Sequence, residues 1–582
     1  MKVIIDRIEV PFDGDVNLLE LCRKAGIELP TFCYNPEISV FGACRMCIVE
    51  VQNGNFNGIV PACSTKAADG MTVQTNTAQI RKMRKMIVEL MLASHDRECT
   101  TCPKSEDCRL QSVAKQLGVD TVRFKSMPPE GERDFTSDAI TRDPKKCVLC
   151  GNCVRVCKEI QSVGTLDFSF RGAKATVGPG YGKGMAEVEG SGCVSCGQCA
   201  KICPVGAITP KHHINEVWDA IHDKSKTVLV QVAPAVRVAL AEYFGKSAGT
   251  LSDKAMVTAL RRIGFTRVFD TCYGADMTVI EEGNEFLERR KNGNTKPMFT
   301  SCCPAWVSFA EQNYPALLPS LSTCRSPISM LGALCKEQLP KTMNIRREDI
   351  VSVTVAPCTA KKPEVMRDEF KTDGSPDVDV VITTYELALM MKEIGITADN
   401  FDELEAGEWD SPYGTYSGGG VIFGTVSGVS EAVLRYVAES RSKGGAKEIK
   451  RFTDTQDGVM VSEITVDDKT FKLAAVSGLA NARKLIDRIN SGNVHYDLVE
   501  VMACPGGCVN GGGQPIVDSR AKVLNRTEGL YSNDATLPYC ASCENPDIKT
   551  YQEIGHDRAH EILHTTYSDK QMTLERLEAK YK

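Results

Sequence analysis

The chain has 582 residues, with 69 basic and 75 acidic side chains, a net charge of −6 and 42% hydrophobic residues. Near-balanced charge argues against a nucleic-acid surface or a disordered acidic tail, no apolar run reaches the 18 or so residues of a membrane span, and the length allows roughly four domains. Against that background stand 26 cysteines. The opening MKVIIDRIEVPFDGD lacks the apolar stretch and cleavage site of a secretory signal. The expected setting is therefore cytoplasmic, with thiols that bind metal rather than pair as disulfides.

The first residues read as a small β-rich unit: VIIDRIEV as a strand, Asp13-Gly14 as a turn, and NLLELCRKAG as a short helix ending at its glycine. Cys33-x10-Cys44-x2-Cys47-x15-Cys63 follows. That spacing fits a [2Fe–2S] loop with a distant fourth ligand, and it also fits a structural zinc. From Thr75 to Ser94, Ile80, Met83, Ile87, Leu90 and Met91 recur at helical spacing and predict an amphipathic helix. The helix delivers His95, Cys99, Cys102 and Cys108. Three thiols and an imidazole are a common zinc set. On an iron–sulfur cluster the neutral imidazole removes negative charge and should raise the potential, and the neighbouring motifs favour iron. Residues 119–140, with MPPEGERDF, read as a polar linker.

Next come two copies of one motif, Cys147-x2-Cys150-x2-Cys153-x3-Cys157 and Cys193-x2-Cys196-x2-Cys199-x3-Cys203-Pro204. Three thiolates on one tight loop take three corners of a [4Fe–4S] cube, and the fourth cysteine serves the other cluster. Cys147, Cys150 and Cys153 should pair with Cys203, and Cys193, Cys196 and Cys199 with Cys157. Two zinc sites would leave the repeat unexplained.

Past about residue 225 the texture changes. TVLVQVA (227–233), IVSVTVA (350–356) and LVEVMA (498–503) are short valine-rich runs, as buried parallel strands are, with helical stretches between them. Two of them run into cysteine turns, at Cys358 and at Cys504 and Cys508, where an α/β sheet normally places its site. With TSCCPAW (Thr300–Trp306), the thiols of Cys303, Cys358, Cys504 and Cys508 can ligate one more cube, leaving Cys302 over. Glycines in PGGC and GGGQ allow close backbone approach. Four cysteines from three distant segments describe an active centre, and the preceding clusters describe a wire leading to it.

TSCCPAW, APCTAKKPE (Ala356–Glu364) and EVMACPGGCVNGGGQP (Glu500–Pro515) resemble the signature motifs of the [FeFe]-hydrogenases, and the likeness spans essentially the whole chain. The first 210 residues are also similar to the cluster-bearing part of the large complex I subunit, so they imply electron transfer only. The resemblance implies a β-grasp [2Fe–2S] domain (1–78), a His/Cys3 [4Fe–4S] helical module (79–125), a bacterial ferredoxin-like unit with two [4Fe–4S] clusters (138–212) and an α/β catalytic domain (225–582) with parallel sheets and the H-cluster between lobes. By that likeness Cys303, Cys358, Cys504 and Cys508 hold the cubane of the H-cluster, and Cys508 bridges to a di-iron subsite with CO, cyanide and an azadithiolate. Cys302 exchanges protons with the bridgehead amine; Glu282, Ser322 and Glu285 map to the next relay members and Arg289 to an outer one. Lys361 matches the lysine that hydrogen-bonds a cyanide, and Met502 the methionine beside the subsite.

The implied reaction is 2 H⁺ + 2 e⁻ ⇌ H₂. Its couple lies at about −410 mV at pH 7, close to low-potential ferredoxins near −400 mV. Ferredoxin, or flavin and NAD(P) partner subunits, would carry the electrons, and maturation enzymes would build the subsite. No GxGxxG follows a strand with a later acidic residue, so NAD is not expected on this chain. The rival readings are an electron-transfer subunit like that of complex I, an iron–sulfur assembly protein and a low-activity hydrogen sensor. Relatives usually carry methionine where Ala356 stands and often glutamine where Ile328 stands, and GTVSGVSEA (424–432) departs from their glycine-rich form with methionine. Among the remaining thiols Cys22, Cys272, Cys324 and Cys335 are expected to be buried, and Cys540-x2-Cys543 reads as half a metal site, a redox pair or two free thiols. His212-His213 reads as a surface turn and DRAHEILH as a terminal helix without the HExxH order of a zinc protease.

Overall fold

The computed structural model describes residues 1–180, 183–187, 192–454, 458–466, 469–517 and 519–572. It divides into two compact units: Met1–Ile160 with Gly164–Ser191 and Ile202–Thr209, and Pro210–Lys582 with Gln161–Val163 and Gly192–Lys201.

In the first unit a five-stranded sheet runs in the order Ile8–Pro11, Lys2–Ile5, Thr72–Gln74, Ile48–Asn53 and Phe56–Pro61. VIIDRIEV is not one strand but a hairpin. Ile5 pairs with Ile8, and the two residues between them, Asp6 (φ 43°) and Arg7 (φ 74°), make the left-handed turn that such a tight connection requires. The apolar run hid the turn because neither residue is glycine. Leu18–Lys24 is helical, capped by Asn17, whose side chain accepts from Glu20 N. Its Leu18 and Leu21 pack with Val3, Ile5, Val49 and Val73.

The helix Ala78–Ala93 forms, but on a different face from the one the spacing marks. Ile80, Arg84, Val88, Glu89 and Ala93 are buried, whereas Leu90 is 47% exposed. Two charged residues go inside because each finds a partner: Arg84 donates to Ile48 O at 2.7 Å, and Glu89 takes a two-point bond from Arg123. Further on, Asp167–Ser169 pairs antiparallel with Thr176–Gly178, and Cys157 sits in a π-helical turn, Val156–Ile160.

The second unit is built on two sheets. One is wholly parallel, in the order Arg267–Asp270, Thr227–Val232, Ile350–Ala356 and Val380–Thr383. The other runs Met298–Phe299, Leu498–Met502, Lys469–Ser477, Val459–Val466 and Thr453–Asp454. Here the expectation of parallel sheets needs correcting, since the first three strands are parallel and the last two antiparallel. Two residues separate Val459–Val466 from Lys469–Ser477, far too few for a parallel crossover. Between the sheets' sequence segments the 21-residue helix Thr271–Lys291 starts at Asp270, whose carboxylate accepts from Cys272 N. A Cβ on its Gly274 would strike Pro327 O, so glycine sets the close crossing with helix Pro327–Met343.

Cys22, Cys272, Cys324 and Cys335 are buried; Cys540 is half-buried and Cys543 exposed. His212 and His213 are not a surface turn. His212 lies tilted against Tyr385, and His213 Nδ1 sits 3.0 Å from Lys362 Nζ. DRAHEILH falls in the helix His556–Leu563. Among the described residues no helix is long and apolar enough to cross a membrane.

Candidate active site

Cys303 stands at the N-cap of helix Pro304–Asn313, Cys358 just past strand Ile350–Ala356, Cys504 just past strand Leu498–Met502, and Cys508 opens the turn Cys508–Asn510. Strand ends thus deliver the thiols from distant segments to one place. Burial first, then Cys504, Cys303 and Cys358, raise the pKa of Cys508 well above its usual value. Burial and then Cys303 push Cys504 up to about 11, and Cys358 feels burial, Cys504 and Cys303 in that order. Cys303 Sγ accepts from Ala503 N at 3.5 Å. Four thiolates cannot share such a pocket without a positive centre, which is what an iron–sulfur core provides.

Cys302 sits beside this set. Burial, then Glu282, Cys303, Glu500 and Cys508, hold its thiol well above the usual range. Met502, 2% exposed, shares an apolar cluster with Cys302 and Cys508. Lys361 Nζ donates to Cys302 O at 3.0 Å and lies 2.8 Å from Glu364 Oε2. Burial opposes its charge, but Glu364, helped by Cys358 and Cys302, outweighs that and holds the ammonium above its ordinary pKa.

Outward from Cys302, Glu282, Glu285 and Arg289 follow at i, i+3 and i+7 on one helix face. Glu282 is fully buried, and burial, with Glu285 and Glu500, pushes its carboxyl up to about 8 although Ser322 pulls it down. The Ser322 hydroxyl donates instead to Glu285 Oε2 at 3.0 Å, so neither Glu282 oxygen has a hydrogen-bond partner among the described residues. Arg289 closes the line with a 2.5 Å bond to Glu285 Oε1. A carboxyl raised in the folded state favours folding fully only below its unfolded pKa of about 4.3 and loses that advantage as pH rises through the folded value. Glu282→Gln removes this dependence. Its gain in Tm over the parent should grow from pH 5 to about pH 8 and then level off, measured by anaerobic thermal denaturation; a gain independent of pH would contradict a neutral Glu282.

Three groups escaped the sequence reading. Glu500 lies fully buried inside strand Leu498–Met502, accepts from Ser427 N and Ser430 N at 2.8 Å each, and is pushed up to about 7, by burial above all. A lone carboxylate in LVEVMA was the available signal. Arg526 clamps Glu242 at 2.6 and 3.0 Å and donates to Val509 O and Pro515 O, holding the loop that carries Cys508. Gln198 donates to Asn510 O at 3.2 Å on the same loop. Ala356 and Ile328 meet in one small apolar cluster with Val365, Val378 and Val381.

In the first unit Cys33 Sγ is 3.4 Å from Cys44 Sγ, Cys33 and Cys47 both contact Cys63, and backbone N–H groups of Phe32, Cys44 and Cys63 point at sulfur at 3.5 Å. Cys99 and Cys102 lie within electrostatic reach of Cys108. His95 is buried with Nδ1 unpartnered among the described residues, and burial first, then Lys146, lowers its pKa to about 4, leaving a neutral ring. Cys147, Cys150, Cys153 and Cys203 line one cavity. A Cβ on Gly206 would come within 2.6 Å of Cys102 Sγ, and Cys33 adds to the repulsion that raises Cys150. These three sets are therefore neighbours. The duplication is also visible in the backbone: Leu149 and Gly151 (φ 52° and 71°) repeat as Ser195 and Gly197 (φ 59° and 70°). Cys193, Cys196 and Cys199 belong to the second unit, where a Cβ on Gly512 would reach to 2.5 Å from Cys196 O. Cys157 belongs to the first.

Comparison with known proteins accords with this geometry. Residues 226–512 match the iron only hydrogenase large subunit, C-terminal domain, and residues 520–570 the iron hydrogenase small subunit. Residues 2–78 match a 2Fe-2S iron-sulfur cluster binding domain, 84–123 the NADH-ubiquinone oxidoreductase-G iron-sulfur binding region, and 146–207 a 4Fe-4S dicluster domain. The chain is 39% identical to the NADP-reducing hydrogenase subunit HndD of Solidesulfovibrio fructosivorans, over 98% of this chain and 99% of that one. To iron hydrogenase 1 of Clostridium pasteurianum it is 35% identical, over 97% and 99%. A solved variant of [FeFe]-hydrogenase HydA1 from Chlamydomonas reinhardtii superposes with a TM-score of 0.56 at 38% identity, covering 62% of this chain and all of that one. A complete thiol set at the strand ends, an accessory cluster region and near-full-length likeness thus converge, and the chain belongs to the iron-only, or [FeFe], hydrogenase family.

Proposed function

We propose that Cys303, Cys358, Cys504 and Cys508 hold the cubane of an H-cluster and that Cys302, Glu282, Ser322, Glu285 and Arg289 carry protons to it. The reaction is the reversible oxidation of dihydrogen, 2 H⁺ + 2 e⁻ ⇌ H₂. When bound, the di-iron subsite with its CO, cyanide and azadithiolate ligands supplies the centre at which dihydrogen is made or split. The observation that carries the reading is the meeting of those four thiols, with Cys302 as a fifth beside them.

Cys302 is held as a neutral thiol and can give a proton inward while taking one from Glu282. A carboxyl titrating near 8 suits both roles at neutral pH, since a proton carrier works best with a pKa near the working pH. Glu285, fixed by Ser322 and Arg289, receives the proton at the outer end. Lys361, charged and steered by Glu364, offers N–H donors beside Cys302, where a cyanide anion would accept a charge-assisted bond. Met502 keeps water from the same wall.

The accessory set comprises one [2Fe–2S] cluster on Cys33, Cys44, Cys47 and Cys63, and three [4Fe–4S] clusters. One of these rests on His95, Cys99, Cys102 and Cys108, and one on Cys147, Cys150, Cys153 and Cys203. The sequence repeat alone pairs Cys193, Cys196 and Cys199 with Cys157. The near-full-length likeness to an NADP-reducing hydrogenase subunit favours flavin- and NAD(P)-binding partner subunits as the electron exchange, ahead of ferredoxin alone.

Infrared spectroscopy of protein made together with maturation enzymes tests the centre. Bands of metal-bound CO and cyanide are expected under hydrogen. Properly matured protein without them would rule out this assignment.

A further inference from the structure

The outer end of the proton line carries a cluster of donors of which the proposed reaction uses only Glu285. A carboxylate oxygen of Glu285, Sγ of Cys324 and a ring nitrogen of His564 all lie within 4.8 Å of one another. Cys324 Sγ faces Glu285 Oε2 at 4.0 Å, and His564 Nε2 lies 3.4 Å from Glu281 Oε2, which offers a fourth donor. These residues are far apart in sequence but held together by the backbone. Cys324 and His564 form an antiparallel bridge, flanked by Arg325 N to Leu563 O (2.8 Å) and Thr565 N to Thr323 O (2.7 Å). Thr323 Oγ1 lies 2.8 Å from His564 Nδ1 and fixes the ring. Glu281 and Glu285 present carboxylates to the cluster, Arg289 bonds Glu285, and Arg325 donates to His564 O at 3.2 Å. The site is also reachable, since the side chains of Glu281, Glu285 and His564 are 22%, 13% and 10% exposed.

We propose that Glu285, Cys324 and His564, with Glu281 as a fourth ligand, form a site for a borderline-soft divalent cation of the zinc type. One sulfur, one imidazole and carboxylate oxygens are a donor set for zinc or cadmium and a poor one for magnesium or calcium. Tetrahedral zinc, with bonds of about 2.0–2.3 Å, spaces its donors roughly 3.3–3.7 Å apart, so shifts of about 1 Å bring Glu285, Cys324 and His564 together, while Glu281 lies outside that group and must swing further to complete the set. As the metal binds, the S–H bond of Cys324 breaks, its proton passes to solvent and a metal–sulfur bond forms, with no change of oxidation state. The same metal draws Glu285 away from the Ser322 hydroxyl. Resting on the proton route proposed above, the consequence is a reversible inhibitory site.

The test uses matured holoenzyme, whose cluster thiols are already occupied, equilibrated with zinc chloride and passed over a chelating resin. The parent should retain one more zinc per chain than Cys324→Ala or His564→Gln, and zinc-edge X-ray absorption should show one sulfur at about 2.3 Å beside nitrogen and oxygen. Iron content and visible absorption equal to the parent's verify that each variant is folded, and the two variants stand independently. Hydrogen turnover of the parent should fall about 10-fold or more with zinc and return with chelator, as expected when a proton step is lost, while both variants keep their rates. Equal zinc in parent and variants, or parent zinc without sulfur scattering, overturns the site. Zinc bound through sulfur with turnover unchanged upholds the site and removes Glu285 from the proton route.

Discussion

Replacing Cys302 by alanine is expected to lower hydrogen turnover by about 10²–10⁴-fold, the usual contribution of a positioned proton carrier, while leaving the infrared bands of CO and cyanide nearly in place. The thiol stands beside the Cys303–Cys358–Cys504–Cys508 set without belonging to it, and its largest neighbouring influence after burial is Glu282. On the proposed assignment, losing it leaves the four cluster thiols in place but opens a gap between the buried Glu282 carboxyl and the reacting centre. Met502 and Val429 share the apolar cluster with Cys302, which disfavours an ordered water in place of the thiol. Serine at 302 restores a donor of nearly the same size, but an alcohol is a far weaker acid than a thiol, so recovery should be small. Turnover from dithionite-reduced carriers, normalised to the intensity of the CO bands, separates a proton defect from a cluster defect. Retained turnover in a fully loaded Cys302→Ala protein would remove the thiol from the route.

The largest expected effect on stability comes from Arg526→Met. The guanidinium is fully buried, forms a two-point bond to Glu242, whose side chain is 10% exposed, and satisfies the carbonyls of Val509 and Pro515. Methionine fills similar volume but strands a carboxylate and two carbonyls. Breaking a buried pair in this way costs about 3–5 kcal/mol. The loss falls on the loop that presents Cys508, so the variant should both unfold earlier and bind less iron. Arg526→Lys should lie between the two, keeping the charge but not the fork. Chemical denaturation followed by far-UV circular dichroism, together with iron content per chain, checks both consequences. A variant that unfolds with the parent and loads fully would show that the loop holds its shape without the clamp.

The two residues differ in how visible they were beforehand. Cys302 sits in TSCCPAW, and the likeness of that motif to the family's signature marks it. Arg526 sits in RAKVLNRTEG, which reads as an ordinary polar helix; only the packing of that helix against a loop some ten residues earlier turns an arginine inward. Glu282 was legible as a candidate but not as a fully buried acid. Leu90 shows the converse, an apolar residue left outside because Arg84 and Glu89 on the competing face found partners.

By itself the sequence determined which thiols lie within local reach of one another. A thiolate's reach is a few ångströms, so the short spacing of Cys147, Cys150 and Cys153 marks them as a group, whereas Cys203, which lines the same cavity, comes from 50 residues further on. It likewise determined the buried strands, whose valine-rich runs need no partner to be recognised. Tertiary structure alone decided which ionisable groups lie in low dielectric and what they face: Glu500 beside Glu282, Arg526 on Glu242, and His564 beside Cys324 and Glu285. Burial and pairing depend on contacts between segments tens to hundreds of residues apart. No local pattern encodes them, and they set the proton affinities on which the chemistry runs.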